Sequence, residues 1–220
     1  MKSRLDEQSI ALRVAREFID GSFVNLGYGM PGLCANFIPE NKTVFFQSEN
    51  GVLGYGSLAS DEEKDYELIN ACDQPVTRLP GMCFFDSGSS FDMIRGGHID
   101  VVVLGAYQVA ENGDLANWGR PGRPATGMGG GMDLAVGAKK VIVAMLHTTK
   151  EGTPRIVKKC SYPLTAKQCV KMIVTDIAVI EVDPSGMILK ETAPGWTVAD
   201  VQALTEPQLI VSPDLKEMTL

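Results

Sequence analysis

VFFQSENGVLGY, residues 44–55, decides how the rest of the chain reads. Val44, Phe45 and Phe46 form a short apolar run of β-branched and aromatic residues, the composition of a buried strand. The run breaks into Gln47, Ser48, Glu49, Asn50 and Gly51. Asn-Gly marks a turn, because both residues tolerate positive φ at low cost. Glu49 is therefore expected where a buried strand turns into a loop. In open α/β sheets that carboxyl edge is where ligands bind. A carboxylate there serves as a nucleophile, a base, an acceptor for a ligand hydroxyl, or a solvated loop acid, and this stretch alone does not choose among them.

The whole chain narrows the field. Its 220 residues, 45% hydrophobic and 21% charged, suit one α/β domain spanning 1–220 with a sizeable core. A net charge of −7 argues against nucleic acid, which needs a basic face. No run reaches the ~20 apolar residues of a membrane span, and the polar start lacks the apolar segment of a secretory signal. The five cysteines (34, 72, 83, 160 and 169) are odd in number and form no C-x-x-C pair, which fits reduced thiols and a cytoplasmic location. His98 and His147 lie far apart without metal-ligand spacing, so no metal is expected.

Along the chain, Ile10, Val14 and Phe18 recur every fourth residue and predict a helix over 6–20, stopped by Gly21. A strand at 23–26 runs into GYGMPG, residues 27–32, and then a short helix. With Glu49 20 residues beyond Gly29, this matches the dinucleotide-binding fingerprint and its ribose-binding acid, so an NAD(P)-dependent oxidoreductase is the alternative reading. Residues 51–73 read as a surface excursion, 76–79 as a strand, and 83–97 as a loop and short helix without a G-x-S-x-G elbow. Asp100–Leu104 is a central strand, extended by 105–109. Asn117 and Trp118 fall in an irregular, proline-bearing loop. Gly127 to Gly131 holds four glycines in five residues, a spacing suited to an anion nest of unhindered N–H groups. Strands follow at 140–146 and 156–157, then a helix over 165–175 with Thr165 as N-cap, a hairpin of 177–182 and 187–189 through DPSG, and a helix over 197–204 capped by Thr197. The tail after Pro207 reads as peripheral.

Several of these motifs, in order, resemble the β subunit of the two-subunit 3-oxoacid CoA-transferases. They are NLGYGMP (25–31), SENG (48–51), RGGHID (95–100), GDLANW (113–118), GMGGGMD (127–133) and KVIVAMLHTTKEG (140–152). The likeness runs from the first helix to about Val182. One departure is Gly131, where the family usually has alanine. The resemblance implies an α/β three-layer sandwich of the NagB/RpiA/CoA-transferase type with a mostly parallel central sheet. It also implies Glu49 as the covalent carrier of coenzyme A, which is a substrate, with no prosthetic group. The partner it implies is a homologous α subunit, in a heterodimer or heterotetramer. Family substrates are acetoacetate with succinate, acetate or butyrate, and 3-oxoadipate with succinate.

The chemistry assigns further residues. Moving CoA between two carboxylates without losing the thioester to water requires a covalent relay, and each step passes an oxyanion. The N–H groups of Gly130 and Gly131 and the amide of Asn117 or Asn25 are the candidate donors. Asn25, Gly27, Gly29, Pro31, Ser48, Asn50, Gly51, Gly127 and Gly129 are the expected coenzyme-binding residues, Gly27 to Pro31 lining its channel. Lys150 is the candidate contact to a coenzyme phosphate or the pantetheine amide.

Overall fold

The computed structural model describes residues 2–120, 122 and 127–219. Its centre is a ten-stranded sheet. Five parallel strands form the middle, in the order β10 (Val170–Val174), β8 (Lys140–Ala144), β5 (Val101–Leu104), β1 (Phe23–Leu26) and β2 (Phe45–Ser48). Antiparallel strands β3 (Val52–Tyr55) and β4 (Cys83–Phe84) flank β2, and β11 (Ala178–Asp183) and β12 (Gly186–Thr192) flank β10. β13 (Leu209–Glu217) lies parallel to β12 at the far edge. β6 (Gln108–Ala110), β7 (Leu115–Ala116) and β9 (Ile156–Val157) form a separate small sheet.

Strand periodicity sends alternate residues to opposite faces, and the core divides accordingly. Val101 and Val103 of β5 join Ile10, Val14 and Phe18 on one side, where α1 (Glu7–Ala15) and a 3₁₀ helix (Met30–Phe37) pack. Val102 and Leu104 join Ile94, Leu134 and Val201 on the other, under α2 (Ser87–Arg95), α3 (Gly131–Gly137) and α4 (Val198–Ala203). This is the expected α/β three-layer arrangement. The continuous β-branched runs are central because they are covered on both faces.

Several expectations are corrected. The first helix stops at Ala15, and Phe18 reaches the core from a following turn. Residues 76–79 form no strand, only an isolated bridge from Val76 to Leu58. Residues 105–109 do not extend β5; the chain leaves the large sheet and enters the small one. The helix expected over 165–175 is instead β10, because Val170–Val174 fills the slot between β8 and β11 and tertiary pairing overrides the helix formers before it. The tail is not loose: β13 pairs with β12 along its length, and Leu209 and Met218 are buried. Thr197 caps α4 in a reciprocal box with Asp200, as its spacing indicates. The proline-bearing residues 121 and 123–126 of the loop after Trp118 lie outside the described residues. Among the described residues, no helix is long and apolar enough to cross a membrane.

His147, just beyond β8, is fully buried and sits between Thr175 Oγ1 and Thr205 Oγ1, each 2.9 Å from a ring nitrogen. Burial lowers its pKa from the usual 6.5 to about 4, against the pull of Asp176. The unfolded chain therefore binds this proton more readily than the folded one. The associated stability is full above pH 6.5, drains as pH falls, and is lost once pH passes through 4. We expect urea denaturation to show a loss of about 3 kcal/mol across that window from this residue, and the His147→Gln variant to lack that component.

Candidate active site

β1 and β2 run side by side with Asn25 level with Gln47. Both side chains are fully buried in a sheet that is otherwise apolar around them. A buried amide must find partners or cost stability, and these two find each other: Asn25 Nδ2 donates to Gln47 Oε1 at 2.7 Å. Gln47 Nε2 donates to Ser90 Oγ of α2 at 2.7 Å, and Ser90 Oγ donates to the Ser48 carbonyl at 3.2 Å. The second Asn25 Nδ2 hydrogen meets Glu49 Oε2 at 3.2 Å. Asn25 Oδ1 is buried without a partner. Glu49 Oε1 takes no hydrogen bond among the described residues, so the half-buried carboxylate is tethered by one oxygen and free at the other.

The turn that carries Glu49 is fixed sterically. Gly51 has φ +112°, and a Cβ placed there would lie 2.0 Å from the Phe85 carbonyl oxygen, so only glycine fits. Ser48 Oγ accepts from Ala71 N–H at 2.8 Å, and Asn50 Nδ2 donates to the Ile69 carbonyl at 2.8 Å. Ser48, Asn50 and Gly51 thus shape the turn.

The second glycine loop meets the first at one point. A Cβ on Gly130 would lie 3.4 Å from Glu49 Cγ and 3.2 Å from Phe91 Cζ. Gly130 N–H enters no hydrogen bond among the described residues, whereas Gly131 N–H already donates to Met128 O at 3.3 Å. Gly130 is therefore the freer donor. Gly127 and Gly129 are exposed, and Gly129 has φ +55° with open space around it. Asn117 Oδ1 accepts from Thr165 Oγ1 at 2.6 Å and lies 3.9 Å from the Cβ position of Gly131.

A cavity of about 330 Å³ opens over the carboxyl ends of β1, β5 and β8, with Gly27, Pro31, Asn117 and Arg155 in its wall. Gly27 is there for backbone packing, since its Cβ would lie 3.1 Å from the Val103 carbonyl. Gly29, with φ +80°, opens the 3₁₀ helix. Lys150 is not brought to this cavity; it sits on an exposed turn closed by Gly152 N–H to Thr149 O at 3.0 Å. Arg155 stands there instead, its guanidinium in no hydrogen bond or ion pair among the described residues. Gln47, Ser90 and Arg155 were missed in the sequence. A glutamine ending an apolar run was the one available signal.

The dinucleotide alternative finds no support. The glycine loop leads into a 3₁₀ helix rather than the α-helix whose N-terminus would receive a pyrophosphate, and Glu49 is engaged with Asn25.

The profile of the Coenzyme A transferase family matches residues 7–204. The chain is 49% identical over 209 residues to one subunit of the 3-oxoadipate CoA-transferase of Acinetobacter baylyi, covering 94% of this chain and 96% of that protein. It is 50% identical over 211 residues to the human mitochondrial succinyl-CoA:3-ketoacid coenzyme A transferase 2, covering 95% of this chain but 41% of that protein. An acyl-CoA transferase (YdiF) from Escherichia coli O157:H7 shares the fold, with a TM-score of 0.75 at 20% identity over 98% of this chain and 44% of that one.

The cost of side chains in the glycine loops should differ sharply by position. Gly131→Ala has ordinary contact distance around its Cβ and replaces the first residue of α3, so thermal unfolding should show no loss and a gain of at most about 0.5 kcal/mol. Gly51→Ala should fail to give a native melting transition.

Proposed function

Because the chain belongs to the coenzyme A transferase family, we propose that it is the nucleophile-bearing subunit of a two-subunit enzyme, passing CoA from an acyl-CoA to a carboxylic acid through a thioester on Glu49. The observation that carries this reading is the one-sided tether of Glu49, with Oε2 held by Asn25 and Oε1 free.

Glu49 Oε1 attacks the acyl-CoA carbonyl carbon, and the electron pair gathers on the acyl oxygen. The Gly130 N–H and the Asn117 amide are the donors at that oxygen. Collapse expels CoA thiolate and leaves a mixed anhydride bridged by Oε1. The thiolate then attacks Glu49 Cδ. Charge now develops on Oε2, where Asn25 Nδ2 already donates. The anhydride breaks, the free acid departs with Oε1, and Glu49 holds CoA as a thioester. An acceptor carboxylate then attacks Cδ and the sequence runs in reverse. No general base is required, because each attacking group is already an anion. Preorganised donors at each oxyanion supply the electrostatic part of the rate.

Gly27, Gly29, Pro31 and Arg155 line the coenzyme's approach, Arg155 meeting a phosphate or the pantetheine arm. The partner is a homologous α subunit, which completes the acyl pocket. The acids belong to the class for which the relatives are named, 3-oxoadipate, 3-ketoacids and succinate. The location is cytoplasmic, in keeping with free cysteines throughout.

Incubation of the co-expressed pair with an acyl-CoA and no acceptor, followed by mildly acidic digestion, should leave a CoA-sized adduct on the Glu49 peptide. Absence of that adduct across several acyl-CoAs overturns the reading. Glu49→Ala should abolish turnover with the fold intact, and Glu49→Asp should lose orders of magnitude because the carboxylate retreats by one C–C bond. Asn25→Ala should cost about 10²–10³ in kcat, the loss typical of one oxyanion donor.

A further inference from the structure

We infer that Gln47 and Ser90, neither of which touches substrate, are positioning residues that hold Asn25 as a donor toward Glu49. This rests on the reading of Glu49 as the CoA carrier.

An asparagine amide has a donor end and an acceptor end of nearly equal shape. Turned over, Asn25 would present Oδ1 to the Glu49 carboxylate and to every oxyanion formed at Oε2. The structure decides the matter through a chain anchored at both ends. At one end the Ser48 carbonyl only accepts, so the Ser90 hydroxyl donates to it at 3.2 Å. Ser90 Oγ therefore offers a lone pair to Gln47, which must point Nε2 at it, 2.7 Å away. That leaves Gln47 Oε1 facing Asn25, which must answer with Nδ2, again at 2.7 Å. The remaining Nδ2 hydrogen is directed at Glu49 Oε2. At the other end the ionised carboxylate rejects the reversed amide.

Two further observations support a role beyond packing. Gln47 and Ser90 are fully buried polar side chains at positions on β2 and α2 where burial ordinarily favours apolar ones. The arrangement also leaves Asn25 Oδ1 buried without a partner. An unmade bond of that kind is a stability cost. The direction of the chain is kept at the expense of that oxygen.

The test uses the complex with its partner subunit and three variants: Ser90→Ala, Gln47→Met and Asn25→Ala. Active sites are first titrated by the CoA adduct, so that rates refer to folded, competent enzyme. The single-turnover rate of glutamyl thioester formation should fall by about tenfold or more in Ser90→Ala and Gln47→Met, with a ceiling at the Asn25→Ala loss. KM for the acyl-CoA should stay within about twofold. In the Asn25→Ala background, Ser90→Ala should add nothing, because its effect passes through Asn25. Rates per titrated site within about twofold of the unsubstituted complex, or losses that simply add in the double variant, overturn the inference. If Gln47→Met does not fold, Ser90→Ala and the double variant still decide. Failure of the unsubstituted complex to form the adduct overturns the assignment of Glu49 instead.

Discussion

The side-by-side register of Asn25 and Gln47 is the constraint on which the site depends. Parallel pairing of β1 with β2 puts two amides level on the same face of the sheet. A slip of one residue would send both to the α1 face and put Val24 and Phe46 in their place. The register is held by those apolar neighbours, which fill the other core with Phe18 and Tyr55. Hydrophobic packing on one face thus fixes polar geometry on the other, and Glu49 inherits its position from that register.

The two glycine loops serve different ends. Gly51 is required by the close approach of the Phe85 carbonyl, and Gly27 sits tightly against that of Val103. A Cβ on Gly130 would meet Glu49 Cγ at an ordinary 3.4 Å and press only on the Phe91 ring, at 3.2 Å. Gly131 has only ordinary contact distances around its Cβ position.

Much of this was legible from residues alone. The runs at 101–104 and 140–144 read as central strands because burial on both faces leaves no polar alternation to confuse them. SENG read as a turn carrying a useful acid because Asn-Gly has few other uses. The stretch 165–175 misled because Ala166, Lys167 and Gln168 favour a helix locally, with Thr165 placed as a cap, while the strand that follows is dictated by the slot between β8 and β11. The strand at 156–157 was legible, but the small sheet it joins was not, because its strands are two or three residues long and pair across loops. Ser90 was invisible, since nothing in SGSSF distinguishes the one serine facing Gln47 from its neighbours.

The 3₁₀ helix after the first glycine loop has a consequence for motion. Eight residues in this form are long for a geometry whose hydrogen bonds are poorer than those of an α-helix. Such a segment opens at lower free energy than the strands beside it. Met30 and Pro31 belong both to this segment and to the cavity wall. One wall of the cavity is thus made from this segment, while the opposite wall, at β5 and β8, lies in the centre of the sheet. Amide exchange should therefore be faster along residues 30–37 than along β5 and β8.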